Sequence, residues 1–269
     1  MSRELLFKRE GVRLACLDFG GSGIPVVLLH GLAGHGGEWA ESASWLTEHH
    51  RVIAIDARGH GNSEHVPEDV SRAAHVADTA FVIEELGLGP VILVGQSLGG
   101  HTAFLTAAAN PDLIRALVVI EATPESATSG EVEQRVLALG DSLAAWPVPF
   151  ESMSAAVSFW GGPSVKAHAW ASGLEDRAGM LWPRFDLTIM MRTLREGICR
   201  PCWQEWEALR MPTLIVRGAQ GPIPLTIFTS MGERQSRAQL VEIPDAGHDL
   251  HIEAPSRWKD AFTAFLAGV

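Results

Sequence analysis

Ser97 stands in the middle of Val91-Ile92-Leu93-Val94-Gly95-Gln96-Ser97-Leu98-Gly99-Gly100, a G-x-S-x-G that follows a β-rich apolar run and opens an alanine-rich one. A serine hydroxyl is a weak nucleophile near neutral pH and performs covalent catalysis only beside a base. The spacing suits that chemistry. A strand that turns sharply into a helix leaves no room for side chains flanking the turn. Gly95 and Gly99 remove them and leave the hydroxyl exposed at the carboxyl end of the strand. The helix N-terminus that follows offers unpaired amides and the positive end of its dipole to a developing oxyanion.

The elements that must position this serine are legible as alternation. Apolar β-rich runs recur at Val12–Phe19, Val26–Leu29, Val52–Ile55, Val91–Val94, Leu117–Ile120, Thr213–Val216 and Leu240–Ile243. Several are apolar throughout, as parallel strands covered on both faces are. Helical patterns lie between them. Arg72–Leu86 carries Val76, Ala80, Ile83 and Leu86 on one stripe and is closed by Gly87; Leu98–Asn110 stops before Pro111. Pro255–Leu266 presents Trp258, Ala261, Phe262 and Phe265 on one face. The expected class is α/β, a mostly parallel twisted sheet of about eight strands flanked by helices. Between about Pro124 and Leu209 the rhythm breaks into helical pieces with no convincing strand, and Trp146, Trp160, Trp170, Trp182, Trp203 and Trp206 gather there. An unstructured connection of that length is improbable. The expected organisation is therefore a core of 1–123 and 210–269 with an inserted helical cap, 124–209.

Four motifs in this order resemble those of the α/β-hydrolase family, over roughly Pro25–Pro124 and Pro212–Leu266. Besides the G-x-S-x-G, His30-Gly31-Leu32-Ala33-Gly34 is similar to the family's oxyanion loop. Asp56-Ala57-Arg58-Gly59-His60-Gly61-Asn62-Ser63 is similar to its D-x-R-G-x-G-x-S loop, and Ala246-Gly247-His248 to the late G-H that supplies the base. The resemblance implies Ser97 as nucleophile and His248 as general base, on a loop at the carboxyl end of the last strand. It also implies an oxyanion hole made by the amide of Leu98 and one from the early loop, Leu32 or Ala33. For His30 and His60 it implies loop-bracing hydrogen bonds. His101 and His251 read as structural.

The pattern breaks at the acid. Where the family usually carries G-x-x-D after the strand Thr213–Val216, this chain reads Gly218-Ala219-Gln220-Gly221-Pro222, with no carboxylate before Glu233. Without an acid the imidazole tautomer is not fixed, and replacing a triad acid by its amide costs about 10⁴ in kcat. Glu121 offers an alternative, closing the apolar run Leu117–Ile120 on the strand next to the elbow strand. Some dehalogenases and lactone hydrolases of the superfamily place a glutamate there, and the order Ser97, Glu121, His248 is the one this fold uses. A water-mediated Ser97–His248 dyad, or an acid from the cap such as Glu125 or Asp141, remains the rival. Asp249 is expected to point away into solvent.

Composition narrows the partners. The 269 residues carry 21 Lys+Arg against 32 Asp+Glu, a net charge of −11, with 46% hydrophobic and 20% charged residues. That is a globular balance. It disfavours nucleic acid, which needs a basic footprint, and anionic membrane surfaces. Three cysteines, the absence of an apolar leader pattern at the N-terminus and of any run near 18 uncharged apolar residues suggest a reduced, cytoplasmic protein. Cys199-Arg200-Pro201-Cys202 lacks two further ligands for zinc and a thioredoxin-like context. The glycine clusters at 20–23 and 34–37 match no nucleotide motif, so neither metal nor cofactor is expected. The cap aromatics suggest an apolar pocket for a small hydrophobic substrate, with Trp160, Trp182 and Phe159 as contacts and His35 joining from beside the oxyanion loop. The sum is a cofactor-independent serine hydrolase of an ester or lactone. The alternatives are a C–C bond hydrolase or lyase on the same residues, and a non-catalytic ligand-binding member.

Overall fold

Runs that are apolar at every position become the middle of the sheet. The computed structural model describes residues 2–269. Its strands are β1 (Arg3–Arg9), β2 (Val12–Gly20), β3 (Val26–Leu29), β4 (Val52–Asp56), β5 (Val91–Gln96), β6 (Ile114–Ile120), β7 (Leu174–Arg177), β8 (Met180–Pro183), β9 (Thr213–Gly218) and β10 (Ala238–Ile243). Eight of them form one sheet in the order β1-β2-β4-β3-β5-β6-β9-β10. The pairings β1–β2 and β2–β4 are antiparallel and all others in the sheet are parallel. The strand that the apolar runs did not reveal is β1. It lies at the sheet edge, where only alternate residues such as Leu5 and Phe7 are covered.

The helices are α1 (Ala40–Leu46), α2 (Arg72–Glu85), α3 (Leu98–Ala109), α4 (Ser129–Ala144), α5 (Met153–Phe159), α6 (Val165–Ser172), α7 (Leu187–Ile198), α8 (Trp203–Glu207), α9 (Leu225–Glu233), α10 (Leu250–Glu253) and α11 (Pro255–Leu266). Strand parity decides which helices each residue meets. Val26, Leu28, Val52, Ala54, Ile92 and Val94 pack with Leu46 of α1 and Trp258 and Phe262 of α11. Val27, Leu29, Ile53, Ile55 and Leu93 face Val82 and Ile83 of α2, Phe104 of α3 and Trp206 of α8. Each such aliphatic side chain contributes about 1.5–3 kcal/mol on burial. A one-residue slip would send every one of them to the wrong layer.

Between β6 and β9 lie α4 to α8, and here one expectation is corrected. The segment read as free of strands contains the antiparallel hairpin β7–β8, with Leu174 opposite Pro183 and Arg177 opposite Met180. Its two-residue turn places Ala178 at φ 57° and Gly179 at φ 86°, the conformation tight hairpins require. Alanine at a left-handed position gives no sequence signal of the Asn-Gly kind, so the turn is silent. The tryptophans also divide. Trp206 is fully buried against Phe104 on the sheet, whereas Trp146, Trp160 and Trp170 stack edge and face with one another over the α4–α6 region.

The loop after β4 is a brace. Asp56 accepts from the amides of Gly36 at 2.6 Å and Asn62 at 2.7 Å, and Ser63 Oγ donates to the Asp56 carbonyl at 2.6 Å. Arg58 grips Asp78 of α2 through Nε and Nη2 at 2.7 and 2.8 Å. His30 Nε2 accepts from the Ala57 amide at 3.0 Å, which leaves Nδ1 protonated to donate to the Gly31 carbonyl at 2.7 Å. The oxyanion loop is thereby tied to the brace, the role expected for His30.

Candidate active site

The turn from β5 into α3 holds Ser97 at φ 51°, ψ −113°, a conformation that costs of order 1–3 kcal/mol outside glycine. Close approach on both sides explains its neighbours. A Cβ on Gly95 would lie 2.1 Å from the Gly99 carbonyl oxygen, and one on Gly99 would lie 2.3 Å from that of Leu29. The Ser97 amide donates to the Ile120 carbonyl at 2.8 Å, fastening the elbow to β6. Its hydroxyl does not cap α3 and is left free to react.

Glu121 follows β6 at φ 48° with its amide on the Val216 carbonyl at 3.0 Å. Its side chain is fully buried. Oε1 accepts from the Gly218 amide at 2.7 Å, and Oε2 lies 3.5 Å from His248 Nδ1. The broken motif lies against this carboxylate. Gly221 occupies the position of the absent G-x-x-D acid, and a Cβ there would lie 2.5 Å from Glu121 Oε2 and 2.7 Å from its Cδ. The carboxylate from β6 fills the volume that a side chain at 221 would take. Of the rival acids, Glu125 lies at the same cavity with its carboxylate 3.4 Å from Trp203 Nε1, and Asp141 is exposed on α4.

His248 is half-buried. Burial works to lower its pKa, but the Glu121 hydrogen bond and the charges of Asp249, Glu121 and Glu253 outweigh it and raise the pKa above the ordinary value. The loop is held by groups that the sequence did not single out. Gln96, the variable residue before the serine, donates from Nε2 to the His248 carbonyl at 2.9 Å, and its Oε1 lies against Gly31 of the oxyanion loop. Glu253 Oε2 accepts from the Gly247 amide at 2.6 Å while Oε1 pairs with Lys166 of α6 at 2.6 Å. Asp249 is not free in solvent: it lies 3.7 Å from Lys166 and 3.5 Å from Gln96 Nε2.

Ser97, His248, Glu121, Leu32 and Leu98 line one cavity of about 390 Å³. Leu32 lines it, whereas Ala33 does not and sits in a cluster with Val70 and Met190. The expected aromatic contacts are not there. Trp160 packs against Trp146, Phe150 and Trp170, Phe159 against Phe150 and Trp160, and Trp182 lies beneath the Arg177 guanidinium. His35 accepts from the Gly37 amide through Nδ1 and donates from Nε2 to the Ala169 carbonyl at 3.0 Å, tying the end of α6 to the oxyanion loop. Trp160 and Phe159 thus belong to an aromatic cluster and Trp182 pairs with Arg177, and none of the three lines the cavity. The apolar lining comes from aliphatic Leu194, Ile198, Ile223 and Ile227, joined by the cations Arg72 and Arg135. His60 is removed from proton transfer: burial pushes its pKa down to about 3.

The comparisons agree with this architecture. The family model described as alpha/beta hydrolase fold matches residues 24–145. The chain is 28% identical over 253 residues to the sn-1-specific diacylglycerol lipase ABHD11 of Mus musculus, covering 90% of this chain and 80% of that one. It is 29% identical over 255 residues to the 2-(acetamidomethylene)succinate hydrolase of Mesorhizobium japonicum, covering 91% and 89%. Among solved structures, that of E-2-(acetamidomethylene)succinate hydrolase superposes with a TM-score of 0.88 at 25% identity, covering 99% of this chain and 100% of the other.

Proposed function

The chain belongs to the α/β-hydrolase fold family and is a hydrolase, and on that premise we propose that it cleaves an ester or lactone through a Ser97 acyl-enzyme. The observation that carries the reading is Ser97 on its elbow beside His248 and a buried Glu121, all on one cavity. Glu121 Oε2 accepts the Nδ1 proton of His248, which leaves Nε2 unprotonated to take the proton of the Ser97 hydroxyl as Oγ attacks the carbonyl. The His248–Glu121 contact is long at 3.5 Å, as such hydrogen bonds often are before substrate tightens them. The oxyanion is received by the amides of Leu32 and Leu98; each such donor is worth about 10²–10³ in kcat. His248 then returns the proton to the leaving oxygen. In the second half it takes a proton from water, whose oxygen attacks the acyl-enzyme, and hands that proton to Ser97 as the acid departs. No step calls for a cofactor.

The aliphatic lining supports a substrate with an apolar body. We place the segment 124–209 over the site as its cap, fastened through Lys166 and His35. The experiment is a panel of short esters, lactones and vinylogous diketones assayed with the wild type and with Ser97→Ala. Turnover of esters or lactones that disappears in Ser97→Ala supports the reading. Exclusive cleavage of the diketones would move the reaction to C–C hydrolysis, and binding without turnover of any class would leave a ligand-binding protein.

A further inference from the structure

One end of the cavity holds a buried cation with no counter-charge among the described residues. Arg72, the first residue of α2, is only 9% exposed and lines the cavity beside His101 of α3 and Leu194, Gly197 and Ile198 of α7. Its Nη2 donates to the Thr193 carbonyl at 2.7 Å, while Nε and Nη1 are buried with no acceptor. The largest acidic influence on it, that of Glu196, acts without an ion-pair contact among the described residues. Of the two carboxylates at the cavity, Glu121 serves Gly218 and His248, and Glu125 serves the Ser126 amide and Trp203. Arg135, from α4, lines the same cavity.

His101 adds a neutral donor. Neither of its ring nitrogens has a partner among the described residues. Burial and then the charges of Arg72 and Arg200 push its pKa down to about 3, so it keeps one N–H at neutral pH. Its amide donates to the Ser97 carbonyl at 2.9 Å; it stands one helical turn beyond the serine, roughly 6 Å along the axis of α3. A buried guanidinium is retained against its desolvation cost when an anion completes it, and planar guanidinium matches planar carboxylate in a fork of hydrogen bonds.

We propose that this end of the cavity binds a carboxylate carried by the substrate, about one helical turn from the carbonyl that Ser97 attacks. The substrates are then half-esters of short dicarboxylic acids, with Arg72 as the specificity-determining residue and His101 as its companion donor. This rests on Ser97 being the nucleophile, and the tests separate the two.

Monomethyl glutarate and methyl pentanoate have acyl chains of the same length and differ in the terminal carboxylate. The wild type should prefer the half-ester in kcat/KM by about tenfold to a hundredfold, the range a charge-assisted hydrogen bond supports. Arg72→Met should bring that ratio to about one, mostly through KM, and Arg72→Lys should restore part of it. Absence of preference in the wild type, or its survival in Arg72→Met, overturns the proposal. A second measurement needs no variant. Free glutarate should slow fluorophosphonate labelling of wild-type Ser97 where neutral glutaramide does not; equal effects, or none, also overturn it. A wild type that fluorophosphonate does not label at all would sink the serine reading itself, and this inference with it.

Discussion

The carboxylate of Glu121 and the bare Cα of Gly221 compete for one volume, so the acid should be movable from β6 to the loop after β9. In Glu121→Gln, the side-chain oxygen stays on the Gly218 amide, which it accepts from at 2.7 Å, and the NH₂ then faces His248 Nδ1. That arrangement makes Nδ1 an acceptor and puts the proton on Nε2, the wrong tautomer for a base. The expected loss is about 10³–10⁴ in kcat, or about 4–5.5 kcal/mol in the barrier. Gly221→Asp alone should also be inactive, because its Cβ would meet Glu121 Oε2 at 2.5 Å and set two carboxylates together. In Glu121→Gly with Gly221→Asp the emptied space receives the new acid. Glycine at 121 suits the φ of 48°, and Gly221 is not among the residues with left-handed φ. The double variant should recover about a hundredfold over Glu121→Gly, a non-additivity that residues sharing one site produce. The assay is kcat/KM on the best ester, with circular dichroism to confirm folding. A folded double variant no faster than Glu121→Gly would refute the reasoning.

The raised pKa of His248 places the acidic limb of the kcat/KM profile above the ordinary histidine value of about 6.5. Since the base must be neutral, activity rises with pH through that limb, and Glu121→Gln moves it to lower pH. The same shift adds stability that is complete below the unfolded pKa and lost as pH rises through the folded one. His248→Gln should therefore lower Tm more in acid than in alkali. Arg58→Met leaves the buried Asp78 with only Arg9 at 3.0 Å; the loss should be about 3–5 kcal/mol, or roughly 6–20 °C in Tm by thermal melting. Trp160→Ala should cost about 2–3 kcal/mol by opening the aromatic cluster while KM for small esters stays within about twofold, since the ring does not line the cavity. A large rise in KM without loss of Tm would return Trp160 to the substrate pocket.

The parts of the site that depend on backbone were legible in the sequence. Gly95 and Gly99 announce the elbow because no side chain fits against the Gly99 and Leu29 carbonyls, and the uniformly apolar runs announce central strands. Glu121 was legible as a charged residue closing such a run, although nothing in the sequence tells that Gly221 vacates the space for it. Side-chain placement between elements far apart in the chain was not legible. Arg72 opens α2 as an ordinary charged residue, and only the packing of α7 and α3 around it makes it a cavity wall. The stripe read along α2 likewise missed His75, Asp78 and Thr79, which are buried, Asp78 against Arg58. Aromatic richness in 124–209 was visible, but whether rings face a ligand or one another is a tertiary fact.

The central claim is that His248 makes the Ser97 hydroxyl reactive. Intact-mass spectrometry of the protein treated with a fluorophosphonate, followed by peptide mapping, reads it most directly. A single adduct on Ser97 should form, and His248→Gln should slow it by about 10³ or more. An unlabelled serine, or labelling at the same rate in a folded His248→Gln protein, would contradict the account.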